Sequence, residues 1–386
     1  MKVDKKNPLH LLSLAALAIN AFLSLPLRIR QKKSNRKVIV FYGHKLCGNL
    51  LAIYTDIENH HSKTTKPIFL TLDANYNRVL RKGGYNSYLA YHPKTAILLS
   101  QASAIVSSHG LHSMSILTTL SSIKFFDVWH GIPFKGFKPK NFSIQHKYDE
   151  TWVTSPYIAQ LYTGKFGFNA SKVKITGYAR TDILINNSEN TKKIKSDFRI
   201  PQSKKIVLFA PTWQQDSKHR SIFPFEEHKA SLLSKLDCFA KQSESVIIVR
   251  AHLNSREKTS YHSDRIIFRS FEEYPNTESL LLICDLLICD WSSIAFDWLL
   301  LDRPTIFLDV PPPFKEGFFL GPEFRFDSIA KNTSEMIELM NTALGNPEKS
   351  LNASSTLRAS IKNKLYSSYA DGNASKRCTQ RILEKI

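Results

Sequence analysis

LLICDWSSIAFDWLLLDRPTIF, residues 286 to 307, reads as a buried strand, a polar turn, a helix and a second strand opened by Arg303 and Pro304. LLIC is apolar at every position and too short for a helix, which suits a parallel strand covered on both faces. Ser292 and Ser293 stand where a helix needs an N-cap, and Pro304 stops the helix. Strand, turn, helix and strand in that order make a crossover unit, the building block of a parallel sheet. The preceding LLIC, residues 281 to 284, reads as a helix end, because a two-unit echo does not make a solenoid.

Working outward, the same alternation continues in both directions. KIVLFA (205 to 210), SVIIVR (245 to 250), RIIF (265 to 268) and PTIFL (304 to 308) are further strands of this half. Upstream, KVIVFY (37 to 42), PIFLT (67 to 71), AIVSS (104 to 108), FFDVW (125 to 129), TWVTS (151 to 155) and KVKIT (172 to 176) form an earlier series. The polar stretch 186 to 205 between them is the linker candidate. The expectation is an α/β protein of the GT-B-like kind: two doubly wound, Rossmann-like domains, 37–190 and 204–350, facing a cleft. A helical tail, 351–386, follows the second.

Residues 1–36 are different. From Asn7 to Leu27 there is no formal charge, and nine basic residues against Asp4 place +8 in the first 37 positions. His10, Ser13, Asn20 and Ser24 are spaced to share one side of a helix. A spanning helix needs about 20 apolar residues. The stretch therefore reads as an N-terminal membrane-contacting helix, lying on the membrane or crossing it, with an anionic surface as partner. A signal peptide is disfavoured by the basic cluster that follows. Removing residues 1 to 34 is expected to leave a soluble, folded remainder.

The formal charge of +20 also raises nucleic acid as a partner, but no zinc-finger spacing or RNA-recognition signature is present. Five cysteines without paired spacing argue against a disulfide framework and a zinc site. No carboxylate or histidine cluster has ligand spacing, so neither a metal nor a cofactor is expected.

Four segments begin at the carboxyl ends of expected strands, where an α/β domain places its site. In DVWHGIPFKGF (127 to 137), His130 can serve as general base, Gly131 turns the chain and Lys135 can neutralise phosphate. A histidine hydrogen-bonded inside a turn is the bland alternative. In FAPTWQQD (209 to 216), Thr212 supplies a hydroxyl and Trp213 a flat surface that suits interdomain packing or base stacking. VIIVRAHLNS (246 to 255) presents Arg250 and His252, both suited to a diphosphate. In the opening stretch, Asp290, Ser292 and Ser293 offer hydroxyls and a helix start to phosphate. Asp297 meets a ribose or faces Arg303.

WHGIPFK, APTWQQD and CDWSSIAFDWLLLDRPTIF, with DETWVTSPY (149 to 157) and ITGYARTD (175 to 182), resemble the motifs of the CDP-glycerol glycerophosphotransferase family. The likeness runs in order over about residues 37 to 330. The resemblance implies a GT-B fold and metal-independent transfer of glycerol phosphate, or a related polyol phosphate, from a CDP-activated donor to a hydroxyl of a lipid-linked wall, capsule or teichoic-acid-like polymer. It implies as well the release of CMP and attachment to the cytoplasmic face of the cell membrane. It further implies that His130 and His252 are essential for transfer, that Ser292 and Ser293 contact the donor diphosphate, and that Arg250 and Asp290 are their neighbours. Ile132, Leu253, Cys289 and Trp291 depart from the family pattern, as does PPPFKEGFFLGPEFRFD (311 to 327). A nucleotide-sugar transferase and a non-catalytic polymer-binding protein of the same fold are the alternatives.

Overall fold

The computed structural model describes residues 7–30, 36–187, 189–212, 224–225, 227–250 and 261–386. The chain divides into two compact units that are not contiguous in sequence. Unit 1 comprises residues up to His130, Pro139–Asp182 and Tyr369–Ile386, and unit 2 comprises Gly131–Lys138 and Ile183–Ser368.

Unit 1 holds a seven-stranded parallel sheet in the order β3-β2-β1-β4-β5-β6-β7. Its strands are β1 (Lys37–Tyr42), β2 (Thr65–Thr71), β3 (Ser87–Leu89), β4 (Ala102–Ser107), β5 (Lys124–Asp127), β6 (Glu150–Val153) and β7 (Val173–Ile175). Unit 2 holds a six-stranded parallel sheet in the order β10-β9-β8-β11-β12-β13. These are β8 (Lys205–Phe209), β9 (Ser245–Val249), β10 (Ile266–Phe268), β11 (Leu286–Cys289), β12 (Thr305–Leu308) and β13 (Ser328–Ala330). As read from the sequence, the first LLIC closes a helix, Thr277–Ile283, and the second is β11. The strands β3 and β13, three residues each, have no counterpart in the sequence reading. Both sheets reverse strand order beside their first strand, the switch point at which α/β proteins bind ligands.

Alternation along β1 sorts its side chains onto two covered faces. Ile39 and Phe41 pack with Ile53 and Tyr54 of α2 (Gly48–His61) and with Cys378 and Ile382 of the C-terminal helix Ala374–Lys385. Val38, Val40 and Tyr42 face the other side, in one cluster with Leu17 and Ala21 of α1 (Pro8–Ile29). The C-terminal helix is tied down by Asp182, which accepts from the N–H groups of Ala374 (2.9 Å) and Ser375 (2.7 Å). Buried Glu150 pairs with Arg381.

α1 begins at an Asn7 cap that accepts the Leu9 N–H, with Pro8 in the first turn. Its polar stripe turns inward. Asn20 is buried and donates to the carbonyls of Ala90 (3.1 Å) and His92 (3.0 Å), and buried Ser24 donates to the Ala21 carbonyl. Arg28 donates to the carbonyls of Ser100 and Ala102 and to Ser122 Oγ. The outward side is apolar: Leu9, Leu12, Ile19, Phe22 and Ile29 are between 59% and 87% exposed. Because Leu17 and Ala21 complete the core of unit 1, deleting residues 1 to 34 would uncover that core. The expectation of a well-behaved truncated protein is therefore revised.

Candidate active site

In unit 1 the strand β5 ends at Asp127 and the chain turns sharply. Trp129 adopts the left-handed region, φ 41°, a costly conformation for a bulky residue that persists only where neighbours enforce it. Three residues do so: Asn49, Arg180 and Asp127. Asn49, on the first turn of α2, donates through Nδ2 to the carbonyls of Val128 (2.7 Å) and Trp129 (3.2 Å). Its Oδ1 accepts the Arg180 N–H at 3.0 Å, and Arg180 in turn donates to the His130 carbonyl at 2.7 Å. Asp127 Oδ1 accepts the Trp129 N–H at 3.4 Å.

The His130 ring is exposed and oriented. Its Nδ1 lies 3.1 Å from the Ser108 carbonyl at the end of β4, and a carbonyl only accepts, so Nδ1 carries the proton. In the neutral ring Nε2 then holds the lone pair, the form a general base uses. Asp127 beneath the turn is fully buried, which pushes its carboxyl up to about 7 against the opposing effect of the Trp129 N–H. Lys45, after β1, is engaged by Asp73 at 3.9 Å and lies over the Tyr76 ring.

Gly131 and Lys135 belong to unit 2. Gly131 has φ 140°, open to glycine and strained for other residues. Lys135 forms an isolated antiparallel bridge to Phe318, the Gly136 N–H meets the Gly317 carbonyl at 2.8 Å, and Phe134 packs at a tilt against Phe296. A Cβ on Gly136 would sit 2.5 Å from the Glu316 carbonyl oxygen, so only glycine allows that approach. The Lys135 ammonium lies over Phe137, 5.1 Å from its centroid.

At the carboxyl ends of β8 and β11, Asp290 ties two motifs together. Its Oδ1 accepts from the N–H of Thr212 (2.7 Å), from the Thr212 hydroxyl and from the N–H of Trp291 (2.6 Å). Ser292 and Ser293 are half-buried beside it, at the start of the six-residue helix Ile294–Leu299, and Ser293 makes no side-chain cap bond. Arg250, 7% exposed, donates to the Tyr274 carbonyl (3.0 Å) and to Thr277 Oγ1 (2.8 Å). Asp297 accepts from Tyr366 Oη, while Arg303 goes to the carbonyls of Leu281, Leu282 and Cys284. His252 and Trp213 lie outside the described residues.

Sequence reading missed four residues that the structure brings to these loops: Asn49, Arg180, His109 and Arg325. Arg325 stacks on Trp291 at 4.4 Å from the ring centroid and pairs with Asp309 at 3.3 Å. Only Arg180 carried a sequence signal, through its place in ITGYARTD. Among the described residues no group of three His, Cys, Asp or Glu is arranged to hold a metal ion.

Comparison with known proteins bears on this arrangement. Residues 24–384 match the family described as CDP-Glycerol:Poly(glycerophosphate) glycerophosphotransferase. The chain is 27% identical over 288 residues to the teichoic acid glycerol-phosphate transferase of Staphylococcus aureus (strain NCTC 8325 / PS 47), covering 67% of this chain and 71% of that one. It is 29% identical over 245 residues to the teichoic acid poly(glycerol phosphate) polymerase of Bacillus subtilis (strain 168), covering 56% of this chain but only 32% of that relative. This chain therefore matches about a third of the B. subtilis protein's length. Among solved structures, the wall teichoic acid polymerase TagF superposes with a TM-score of 0.75 at 20% identity, covering 94% of this chain and 92% of that one. That likeness shows a GT-B-like fold. A variant of the same polymerase, with a TM-score of 0.74 at 18% identity, was solved after a soak with CDPG.

Proposed function

The chain belongs to the CDP-glycerol:poly(glycerophosphate) glycerophosphotransferase family, and from that premise we propose that it transfers a polyol phosphate from a CDP-activated donor to a hydroxyl of a lipid-linked wall polymer. The carrying observation is the His130 ring, which donates through Nδ1 to the Ser108 carbonyl and so presents Nε2 as a base. In the proposed step, Nε2 takes the proton of the acceptor hydroxyl as its oxygen bonds to the polyol-bearing phosphorus. The bond from that phosphorus to the bridging oxygen breaks, and CMP leaves with the electron pair. Unit 1 is the acceptor side in this reading and unit 2 the donor side. Ser292, Ser293 and Thr212 contact the diphosphate, Lys135 adds charge, Gly131 permits the turn, and Asp290 and Arg250 hold the donor loops in shape. His252 is assigned to the departing CMP by its motif.

The test incubates the full chain with CDP-glycerol, CDP-ribitol or UDP-sugars, each with a lipid-linked acceptor, and measures nucleotide release. CMP from a CDP-polyol is expected; UDP from a sugar donor alone would replace this reading with glycosyl transfer.

We further propose that α1 lies in the membrane interface on the cytoplasmic side. The support is its outward apolar side and inward polar stripe, with exposed Arg30 at its end. A fully buried Leu, Ile or Phe gains about 1.5–3 kcal/mol, whereas a basic residue near an anionic leaflet gains about 1 kcal/mol. Five outward side chains at partial insertion therefore rival or exceed the basic term, and raised salt should weaken binding without abolishing it. Ile19→Glu with Phe22→Glu should prevent flotation with phosphatidylglycerol vesicles while leaving the circular dichroism unchanged. Flotation equal to wild type would move the anchor elsewhere.

A further inference from the structure

Four imidazoles gather at the carboxyl ends of three adjacent strands of unit 1. His44 follows β1, His109 and His112 follow β4, and His130 follows β5. The rings of His109 and His130 stack nearly parallel, 10° apart, with centroids separated by 4.3 Å. His44 lies 4.6 Å from His109, and His112 takes part in a 2.8 Å hydrogen bond with Tyr42 Oη. Ser108 handles both members of the stack: its carbonyl accepts from His130 Nδ1, and its Oγ lies 2.8 Å from His109 Nδ1.

We propose that His109 is a positioning residue for His130, fixing the plane of the base and keeping water from one face of its ring. The proposal rests on the reading of His130 as the base. The hydrogen bond to the Ser108 carbonyl fixes one point of the His130 ring, and the His109 ring packed face to face against it resists rotation about that contact. The stack itself is set by geometry; desolvation of the ring, and then the neighbouring imidazoles of His130, His44 and His112, lower the His109 titration well below the usual histidine range and favour an uncharged ring there, although the residue as a whole keeps an exposed edge. An uncharged ring against His130 disfavours hydration of an imidazolium there. Within unit 1 the other groups around this pair are His44, His112 and Tyr42, the Trp129 ring at 4.3 Å, Arg180 on the His130 carbonyl and buried Asp127 below the turn.

The experiment follows ring titrations by nitrogen-15 NMR and CMP release in full-chain wild type, His109→Ala and His109→Phe. His109→Ala should lower kcat by roughly 10 to 10² with donor KM unchanged. It should also raise the His130 titration, and with it the acid limb of the rate profile, by roughly 0.5 to 1 unit. His109→Phe keeps a flat ring and should restore most of both. Unchanged kcat and titration in His109→Ala would overturn the proposal, as would a phenylalanine variant as impaired as the alanine one. If wild type releases no CMP, the proposed transfer fails, while the NMR titration still decides whether His109 sets the state of His130.

Discussion

The two sheets share a strand order but use their switch points differently. In unit 1 the loops after β1, β4 and β5 carry imidazoles, and the groups that hold them are backbone clamps: Asn49 on two carbonyls, Arg180 on a third, Ser108 on the ring. In unit 2 the equivalent loops after β8 and β11 carry hydroxyls organised by one carboxylate, Asp290. Arg250, a cationic candidate there, directs its guanidinium to Tyr274 and Thr277. The same topology thus orients a titrating group in one unit and a set of neutral donors in the other. The proposed division of labour fits that contrast: proton transfer needs a lone pair at a fixed angle, whereas a diphosphate is satisfied by convergent N–H and O–H groups.

That contrast breaks most visibly at His130. Its replacement by alanine should cost on the order of 10² to 10⁴ in kcat and leave CDP-glycerol affinity by calorimetry nearly unchanged. His252→Ala should weaken donor binding as well as turnover, and the opposite pattern in the pair would reverse the assignment of units.

The next largest effect concerns stability. Asp127 titrates at about 7 when folded because it is buried, against an ordinary carboxylate value in the unfolded chain. The folded state therefore keeps its proton while the unfolded state loses it. Stability should fall as pH rises from about 4 to 7, by roughly 2–4 kcal/mol in total. Asp127→Asn, which keeps an acceptor for the Trp129 N–H, should flatten this slope in denaturant unfolding measured between pH 5 and 8. An unchanged slope would remove Asp127 as its source.

In unit 2, Asp290→Ala strips an acceptor from three donors and should lower unfolding free energy by about 3 kcal/mol while weakening donor binding. Intact donor affinity would show that the loops after β8 and β11 are held by something else. Smallest is Asn49→Ala, which frees the turn before His130 without touching the ring. A kcat loss of roughly 10 to 10² at constant donor affinity is expected, and lowered donor affinity would blur the division between the units.

Much of the candidate site is legible in the sequence alone. His130 announces itself because a glycine and a proline follow it at a strand end, and Asp290 with two serines because a strand stops there and a helix starts. Asn49 does not, since nothing near it in sequence says that its amide reaches carbonyls 79 and 80 residues away. His109 sits beside a glycine turn, and its meaning depends on a ring 21 positions further on. Nor do β3 and β13 announce themselves, because three residues are too few to display a period.

By itself the sequence determined the alternation of strands and helices, the two sheets, the motif loops at strand ends and a long apolar N-terminal helix. Side-chain periodicity, glycine, proline and capping residues are local signals, and these features are local. Tertiary structure alone decided that the polar stripe of α1 turns inward to Asn20's carbonyl partners. It also decided that the segment after His130 packs with unit 2 and that the last helix returns to Asp182 and Glu150 of unit 1. Those choices rest on which distant backbone groups and apolar faces remain to be satisfied once the sheets have formed, and residue spacing does not encode that.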